Sequence, residues 1–340
     1  MNKLLKIAEE IKKDYSEDNL AFSTGIEPLD ILLDGGLECG ITQLVGEHST
    51  GKTTLALQIA YSYCINGKNV LFINTKGNIT NADLQSMNLL EFKDKQFFSY
   101  FEAEFNKVEN LLDKFISTDE ISLIIIDSIA SLMNSGYLIT GSKAIKSDNG
   151  NSGYNSKPLS ILVKKLAVLS IKKNIAVLMT NQYKNTIQMY GKNKGTRTKI
   201  GGPKSLINES KYVIEIRSIS ESNNISRKFR DCFLGIEKVN KGKSFEFLLS
   251  KGRHPNMILP YFFEYGVGYS SIYSIVMFMI NNNIIEQNGT YYSLDNVGIN
   301  EKGINNFMLK FKKHPPKNYG EYVMKYYEEL LKVTFDNDCD

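Results

Sequence analysis

The sequence predicts an α/β protein with a mostly parallel twisted sheet, a short N-terminal helix and a small α+β C-terminal domain. Short continuous apolar runs, typical of strands buried on both faces, alternate with segments of helical spacing. One of these strands runs into a glycine-rich turn and then into an apolar helix. The chain has 340 residues, 42% of them apolar, which suffices for one large core and a smaller appended domain.

The predicted elements follow in a regular order. A glycine-rich segment with a short apolar helix comes first, at 23–37. Apolar runs and alternating patterns then predict strands at 41–45, 69–73, 123–126, 175–179, 211–217, 233–239 and 244–250. Helical spacing predicts helices at 55–65, 108–116, 159–171, 272–280, 303–311 and 319–331. A small hairpin is predicted around Tyr291 and Tyr292.

Two long polar segments, 134–156 and 183–202, interrupt this order and are predicted to be loops. The pattern of the elements changes near Gly268, where we place a domain boundary. The predicted organisation is therefore an N-terminal helix at 1–21, a core at 22–268 and a C-terminal domain at 269–340.

Composition excludes several classes of protein. No apolar run reaches the roughly 18 residues that a membrane span needs, and the N-terminus lacks the apolar core of a secretory signal. Four cysteines stand far apart, which favours reduced structural thiols over a zinc site or a disulfide framework. We therefore expect a cytoplasmic protein with no membrane partner. The net charge of +4 alone says little about partners.

The segment G-E-H-S-T-G-K-T fits the phosphate-binding pattern G-x-x-x-x-G-K-[ST]. Its glycines let backbone N–H groups turn toward phosphates at the N-terminus of the following helix. Lys52 is predicted to reach the β- and γ-phosphates of a nucleoside triphosphate, and the Thr53 hydroxyl to bind Mg²⁺. The predicted ATP-binding residues are Gly46, Glu47, His48, Ser49, Thr50, Gly51, Lys52, Thr53 and Thr54.

A second motif, L-I-I-I-D-S, ends a buried strand with Asp127. A carboxylate at the end of a strand beside the phosphate-loop strand is where a metal-holding aspartate of such sites belongs. Asp127 is therefore predicted to hold Mg²⁺ together with Thr53. The alternative, an aspartate that merely ends the strand, is weakened by the phosphate motif upstream.

The segment from Tyr183 to Lys204 holds six basic residues and no acidic one, and Tyr190 lies between them. A basic loop with interleaved aromatic residues suits contact with phosphates and stacking on bases. A solvated loop is the alternative interpretation of such a run. The basic residues are Lys184, Lys192, Lys194, Arg197, Lys199 and Lys204.

Several motifs in this order resemble the RecA family of recombinases, over about residues 22–332. The phosphate motif and its glycine-rich entry are followed by I-I-I-D-S-I-A-S-L, M-T-N-Q and G-G-P-K-S-L. Y-G-V-G-Y and N-N-I-I-E-Q-N-G-T-Y-Y-S-L then resemble the join to the C-terminal domain of the bacterial and phage branch, including UvsX-like proteins.

The resemblance implies an ATP- and Mg²⁺-dependent, DNA-dependent ATPase that assembles with itself, as a filament or ring, on single-stranded DNA and then pairs with duplex DNA. It implies that 134–156 and 183–202 are DNA-binding loops, that Gln182 senses the γ-phosphate and that the N-terminal helix packs on an adjacent subunit. Lys251 and Arg253 would reach the neighbouring ATP site. The implied DNA-binding set is Lys143, Lys146, Lys184, Lys192, Lys194, Arg197, Lys199, Gly201, Gly202 and Lys204. Single-strand-binding and mediator proteins would be further partners.

The chain departs from the family pattern after its second strand, where the family carries a catalytic glutamate. Here the segment reads I-N-T-K-G, with Lys76 at the glutamate position and Asn74 before it. An ammonium cannot accept a proton from water unless its pKa is strongly depressed, so hydrolysis is expected to be slow or absent while ATP binding is retained. Glu47, Glu102 and Glu104 are candidate substitute bases.

A second departure concerns the base of the nucleotide. Asp83 stands where bacterial members stack an aromatic residue on the adenine, which leaves adenine specificity open.

Three functions remain open from the sequence. The leading one is a strand-exchange recombinase acting in recombination and repair, encoded by a phage or mobile element. A hydrolysis-deficient paralogue that acts as a mediator or a single-strand-binding module is the second, and Lys76 favours it. Another RecA-fold motor, such as a DnaB-like helicase or a KaiC-like ATPase, is the third, and the C-terminal block disfavours it.

Overall fold

The computed structural model describes residues 21–133, 156–188, 195–219 and 242–336. They belong to two compact units. The first unit covers the described residues up to Ile214 apart from 47–51, and also takes in 251–253; the second unit takes the remainder. The predicted N-terminal helix, the loop 134–156 apart from Ser156 and the strand at 233–239 lie outside the described residues.

The first unit holds a sheet with the strand order β8–β1–β5–β4–β2–β3, and β1 to β5 run parallel. Its strands are β1 (Gly40–Gly46), β2 (Asn69–Asn74), β3 (Phe97–Phe101), β4 (Ile121–Asp127), β5 (Ala176–Asn181) and β8 (Ser210–Ser218), which ends in the second unit. Its helices are α1 (Glu27–Leu32), α2 (Lys52–Ile65), α3 (Asn81–Ser86), α4 (Phe105–Ile116), α5 (Ser156–Lys172) and α6 (Lys204–Glu209).

Burial explains why these segments form these elements. On α4 the buried residues Phe105, Val108, Leu112 and Ile116 recur every three or four positions, so they form one stripe of the helix. This stripe packs with α5 and the central strands in a single apolar cluster. The core residues of β4, Leu123 to Ile126, are fully buried on both faces, as a central parallel strand requires.

The second unit contains the antiparallel strands β9 (Gly242–Lys251), β10 (Ile258–Glu264) and β11 (Gly268–Tyr269). A separate three-stranded antiparallel sheet follows, formed by β12 (Glu286–Asn288), β13 (Tyr291–Leu294) and β14 (Ile299–Lys302). Its helices are α7 (Ser271–Asn281), α8 (Ile304–Lys313) and α9 (Tyr319–Asp336).

The predicted fold class is confirmed: helices accompany a mostly parallel sheet, and a small region with its own antiparallel sheet follows. The predicted strands and helices that fall on described residues are also present, within a few residues of their bounds. Strands β3 and β10 were not predicted from the sequence. No helix among the described residues is both long and apolar enough to cross a bilayer.

One prediction was wrong in part. The described residues of 183–202 do not form a continuous loop, because β6 (Tyr183–Gln188) and β7 (Gly195–Ile200) pair as antiparallel strands. Threonine, isoleucine and tyrosine are spread along both segments, and their preference for strands offsets the polar composition that predicted a loop. Residues 189–194 lie outside the described part.

Candidate functional site

The phosphate motif forms the turn between β1 and α2. Its backbone bends through two left-handed residues, Ser49 with φ 60° and Gly51 with φ 76°. A Cβ atom at Gly51 would also lie 2.5 Å from the ring of Phe263, so packing as well as backbone conformation requires glycine there. The Thr50 hydroxyl donates to the Glu47 carbonyl at 3.0 Å, which closes the turn on itself.

Lys52 is the first residue of α2 and is buried. Its ammonium donates to the Gly46 carbonyl at 2.9 Å, at the end of β1. The N-terminus of this 14-residue helix adds the backbone N–H groups of its first turn and a partial positive charge. A cation and a helix N-terminus at one turn provide what a polyphosphate needs.

Asp127 is buried at the end of β4, and both of its carboxylate oxygens accept hydrogen bonds. Its strand was predicted to lie beside the phosphate-loop strand, which is wrong, because β5 lies between β4 and β1. Thr53 donates to Oδ2 at 2.6 Å, and Thr180, the fifth residue of β5, donates to Oδ1. Because the Thr53 hydroxyl gives its proton to the carboxylate, its lone pairs remain available to a cation. Hydroxyl and carboxylate oxygens are the ligands that Mg²⁺ prefers, so these residues fit the predicted metal.

The end of β2 is built differently. The Asn74 side-chain oxygen accepts the backbone N–H groups of Lys76 at 3.2 Å and Gly77 at 3.0 Å, so it shapes the turn after the strand. The Thr75 hydroxyl donates to the Ser128 carbonyl at 2.8 Å and accepts the Ser128 N–H at 2.7 Å. The side chain of Lys76 is exposed.

The candidate substitute bases have local partners. Glu102 accepts the backbone N–H groups of Ala103 and Glu104 at 3.0 and 2.9 Å. Glu104 pairs with Lys107 at 3.0 Å, one turn along α4. Glu47 is an exposed residue of the phosphate loop. The catalytic base therefore stays unassigned among them.

The end of β5 is joined to the base of the β6–β7 hairpin. Asn181 donates to the Gly201 carbonyl at 2.8 Å and to the Gln43 side-chain oxygen at 3.2 Å. The Gly201 N–H donates to the Gln182 carbonyl at 2.8 Å, and a Cβ atom at Gly201 would lie equally close to that oxygen. Gln43 in turn donates to the Leu206 carbonyl at 2.9 Å. Close backbone approach therefore requires Gly201, and the buried amides hold the hairpin to β1 and β5.

The hairpin places two of the predicted DNA-binding lysines opposite each other. Lys184 and Lys199 are Cα partners in the antiparallel register, and both side chains are exposed. Like charges directly across a strand pair repel each other, so an anion bound by both would relieve the repulsion. Gly202 with φ 98° and Lys204, the first residue of α6, follow the hairpin. Lys143, Lys146, Lys192 and Lys194 lie outside the described residues, and nothing is described of the Arg197 side chain.

Comparison with known proteins identifies the family of this chain. A family model described as the RecA N-terminal domain matches residues 4–238, more than half of the chain. The chain belongs to the RecA family.

Individual relatives come from two groups. The chain is similar to Protein RecA of Ehrlichia chaffeensis, with 26% identity over 296 residues, 86% of this chain and 76% of that protein. It is also similar to the DNA repair and recombination protein RadB of Methanococcoides burtonii, with 30% identity over 200 residues, 56% of this chain and 80% of that protein. The RadB of Methanosphaera stadtmanae is 30% identical over 161 residues, 45% of this chain and 64% of that protein.

Lys251 and Arg253, which family resemblance predicts to act on a neighbouring subunit, have partners within the chain. The Lys251 ammonium donates to the carbonyls of Ile207 and Asn208 at 2.9 and 2.7 Å. Arg253 pairs with the buried carboxylate of Glu38 at 2.6 Å. Their role toward a neighbour stays a prediction.

Glu38 is the buried centre of a charge cluster whose cations, Lys211 and Arg253, are partly exposed. Burial alone would raise the pKa of Glu38, but hydrogen bonds from Lys211 and Tyr212 and the charge of Arg253 outweigh it and lower that pKa. The Tyr212 hydroxyl donates at 2.9 Å. The carboxylate therefore anchors the Arg253 segment to the strand entering the phosphate loop.

Asp83, which the family resemblance predicts to stand where bacterial members carry an aromatic residue, forms a capping box with Thr80 at the start of α3. Its carboxylate accepts the N–H and the hydroxyl of Thr80, both at 2.7 Å, and these hydrogen bonds lower the pKa of Asp83. The Asp83 side chain therefore stabilises the N-terminus of α3.

Four polar residues of the site were not predicted from the sequence: Gln43, Thr75, Thr180 and Asn181. Each is buried within or directly after a parallel strand whose other residues are largely apolar. A polar residue in such a run must find a hydrogen-bonding partner, and that signal was present in the sequence.

Proposed function

We propose that this RecA-family chain binds ATP with Mg²⁺ and uses the bound nucleotide to control its assembly on single-stranded DNA. In this proposal it is a recombinase that pairs the coated strand with duplex DNA. The observation that carries the proposal is the Asp127 carboxylate, which joins Thr53 of the phosphate loop to Thr180 of the strand leading into the β6–β7 hairpin.

The nucleotide part rests on the phosphate loop and on Asp127. Lys52 and the N-terminus of α2 supply positive charge for the phosphates, and Thr53 and Asp127 supply oxygens for Mg²⁺. When bound, Mg²⁺ would neutralise phosphate charge. The residues of the chain orient the phosphates, and the predicted ATP-binding set is contiguous along this turn.

The DNA part rests on the hairpin. The opposed pair Lys184 and Lys199 is exposed at its base, and Lys204 follows at the start of α6. Lysine side chains bind phosphates irrespective of base sequence, which suits a protein that coats any single strand. Gln182 stands between β5 and the hairpin and is the proposed sensor of the γ-phosphate.

A second function is favoured by one observation. The side chain of Lys76 is exposed while its backbone N–H is held by Asn74, and the family resemblance predicts that this residue stands at the catalytic glutamate position. A chain that binds ATP but hydrolyses it slowly would act as a mediator or as a lasting single-strand-binding module. The relatives named RadB are described as DNA repair and recombination proteins, and either function falls in that field.

Electron microscopy of the chain on single-stranded DNA, with and without ATP, tests the proposal directly. We expect regular filaments or rings with ATP and Mg²⁺, and their loss in the variant Lys52→Ala. A parallel strand-exchange assay separates the two candidate functions, because the recombinase can act alone whereas a mediator requires a second recombinase for strand exchange. ATP-independent coating of the strand by wild type and variant alike would refute nucleotide control.

A further inference from the structure

Thr180 of β5 lies beside Asp127 of β4 and donates a hydrogen bond to it. The strand register of β4 and β5 aligns Ile126 with Met179, so the next residue of each strand, Asp127 and Thr180, come side by side at the sheet's carboxyl edge. Both are buried, with exposed fractions of 1% and 0%. A buried carboxylate must be satisfied by donors, and within the described part of the chain the Thr180 hydroxyl is one of two side-chain donors that reach it.

The two donors approach different oxygens from different elements. Thr53 belongs to α2 and binds Oδ2, whereas Thr180 belongs to β5 and binds Oδ1. The terminal torsion of aspartate is broad, so a carboxylate held at one oxygen alone can rotate about its axis. Donors at both oxygens fix the carboxylate plane and therefore the direction of its remaining lone pairs.

We propose that Thr180 is a positioning residue for the metal-binding carboxylate: it orients Asp127 so that Thr53 and Asp127 together present oxygens to Mg²⁺. The inference rests on the proposed nucleotide function. Residues that hydrogen-bond to a metal ligand typically change metal affinity by about 10- to 100-fold when they are removed, because they orient the ligand.

The alternative is that threonine stands here only for its strand preference. Threonine is favoured in strands, and any buried hydroxyl finds a partner. The two roles differ in what they predict. A purely structural hydroxyl changes stability and leaves the Mg²⁺ requirement alone, whereas a positioning residue changes the Mg²⁺ requirement of nucleotide binding.

The test measures affinity for a fluorescent ATP analogue as a function of free Mg²⁺, with the full chain. In Thr180→Val, which keeps the shape and removes the hydroxyl, we expect the half-saturating Mg²⁺ concentration to rise by about tenfold. Affinity in the presence of excess chelator should stay at the wild-type value. Thr180→Ser restores the donor and should restore the wild-type Mg²⁺ response.

Thr42→Val is the matched control. Thr42 is a buried threonine on β1, aligned with Leu178, two residues before Thr180. The control should leave the Mg²⁺ response unchanged, and thermal unfolding of each variant confirms that it folds. Should Thr180→Val fail to fold, Thr180→Ala removes the same hydroxyl without the valine methyl groups.

The outcomes separate the inference from the proposed function. If the affinity of the wild-type chain for the analogue does not depend on Mg²⁺, both the role of Thr180 and the proposed nucleotide function are overturned. A Mg²⁺-responsive wild type together with a hydroxyl-free variant of unchanged midpoint would overturn only the role of Thr180. An equal shift in Thr42→Val would likewise show that loss of a buried hydroxyl, and not the contact with Asp127, is responsible.

Discussion

The ends of two neighbouring strands, β4 and β2, are built on opposite principles. At the end of β4 the Asp127 side chain is buried and both of its oxygens are held by hydroxyls. At the end of β2 the Asn74 side chain holds the backbone N–H of Lys76, while the lysine side chain is exposed. The residues expected to bind the metal are fixed before any ligand arrives, and the side chain of Lys76, which the family resemblance predicts to stand at the hydrolytic position, is not.

This difference separates two tasks that one site usually combines. Binding needs preorganised oxygens and cations, and β4 with the phosphate loop supplies them. Hydrolysis needs a group that accepts a proton or orients water, and a lysine ammonium has no lone pair to do so. The comparison therefore predicts a chain that binds ATP well and turns it over slowly.

Restoring the family residues at the end of β2 should have the largest effect. The double change Lys76→Glu with Asn74→Asp adds a base and keeps an oxygen that accepts the backbone N–H groups of residues 76 and 77. Turnover stimulated by single-stranded DNA should rise by about 10²–10⁴, the usual contribution of a general base. Asn74→Asp alone is the control. Brisk wild-type turnover that the double change lowers would instead implicate Glu102, Glu104 or Glu47 as the base.

Removing the phosphate-loop cation should have the next largest effect, on binding. Lys52→Ala should weaken affinity for ATP by about one to two orders of magnitude, since a hydrogen bond to a charged group contributes about 1.5–3 kcal/mol. Equilibrium binding of a fluorescent ATP analogue measures the loss. Lys95→Ala, which removes an exposed lysine, should bind like wild type. Equal affinities in the Lys52 variant and wild type would contradict the binding half of the comparison.

Neutralising the opposed lysines of the hairpin should reduce the salt dependence of DNA binding. For Lys184→Gln with Lys199→Gln, the slope of log affinity against log salt for single strands should fall by about 0.7 for each phosphate that the protein no longer neutralises. Lys164→Gln with Lys172→Gln removes the same charge from exposed positions of α5 and is the matched control. Unchanged slopes in the hairpin variant would mean that these lysines do not touch the strand.

The smallest effect concerns Glu38 and stability. Because the folded-state pKa of Glu38 lies below its ordinary value of 4.5, the ionised carboxylate stabilises the fold above about that pH, and this contribution is lost as the pH falls through the folded-state pKa. Glu38→Gln should lower the Tm at pH 7 by about 2–4 °C for each kcal/mol of stability removed. The difference in Tm between Glu38→Gln and wild type should disappear at acidic pH. A gap that widens below pH 4.5 would contradict this interpretation of the cluster.

The sequence predicted the fold better than the details of the site. Parallel strands such as β4 are recognisable because burial on both faces demands a continuous apolar run. The phosphate loop and Asp127 are recognisable because their chemistry requires a fixed spacing. By contrast, the β6–β7 hairpin was missed because its polar composition resembles that of a loop.

The supporting residues could not be predicted for a related reason. Thr180 and Asn181 are adjacent in the sequence, yet one contacts Asp127 on β4 and the other contacts Gly201 beyond the hairpin. Strand alternation sends neighbouring side chains to different partners, and the identity of those partners follows only from the strand order. A polar pair at the end of an apolar strand indicates that such partners exist, without naming them.

The contact of Lys251 with α6 offers a way to observe assembly. The carbonyls of Ile207 and Asn208 lie near the end of a six-residue helix, where helical partners run out, and the Lys251 ammonium occupies them. If Lys251 turns to a neighbouring subunit on assembly, this short helix loses its terminal support. Hydrogen–deuterium exchange at the α6 amides would then accelerate while the rest of the chain becomes more protected, giving assembly a signature that needs no attached probe.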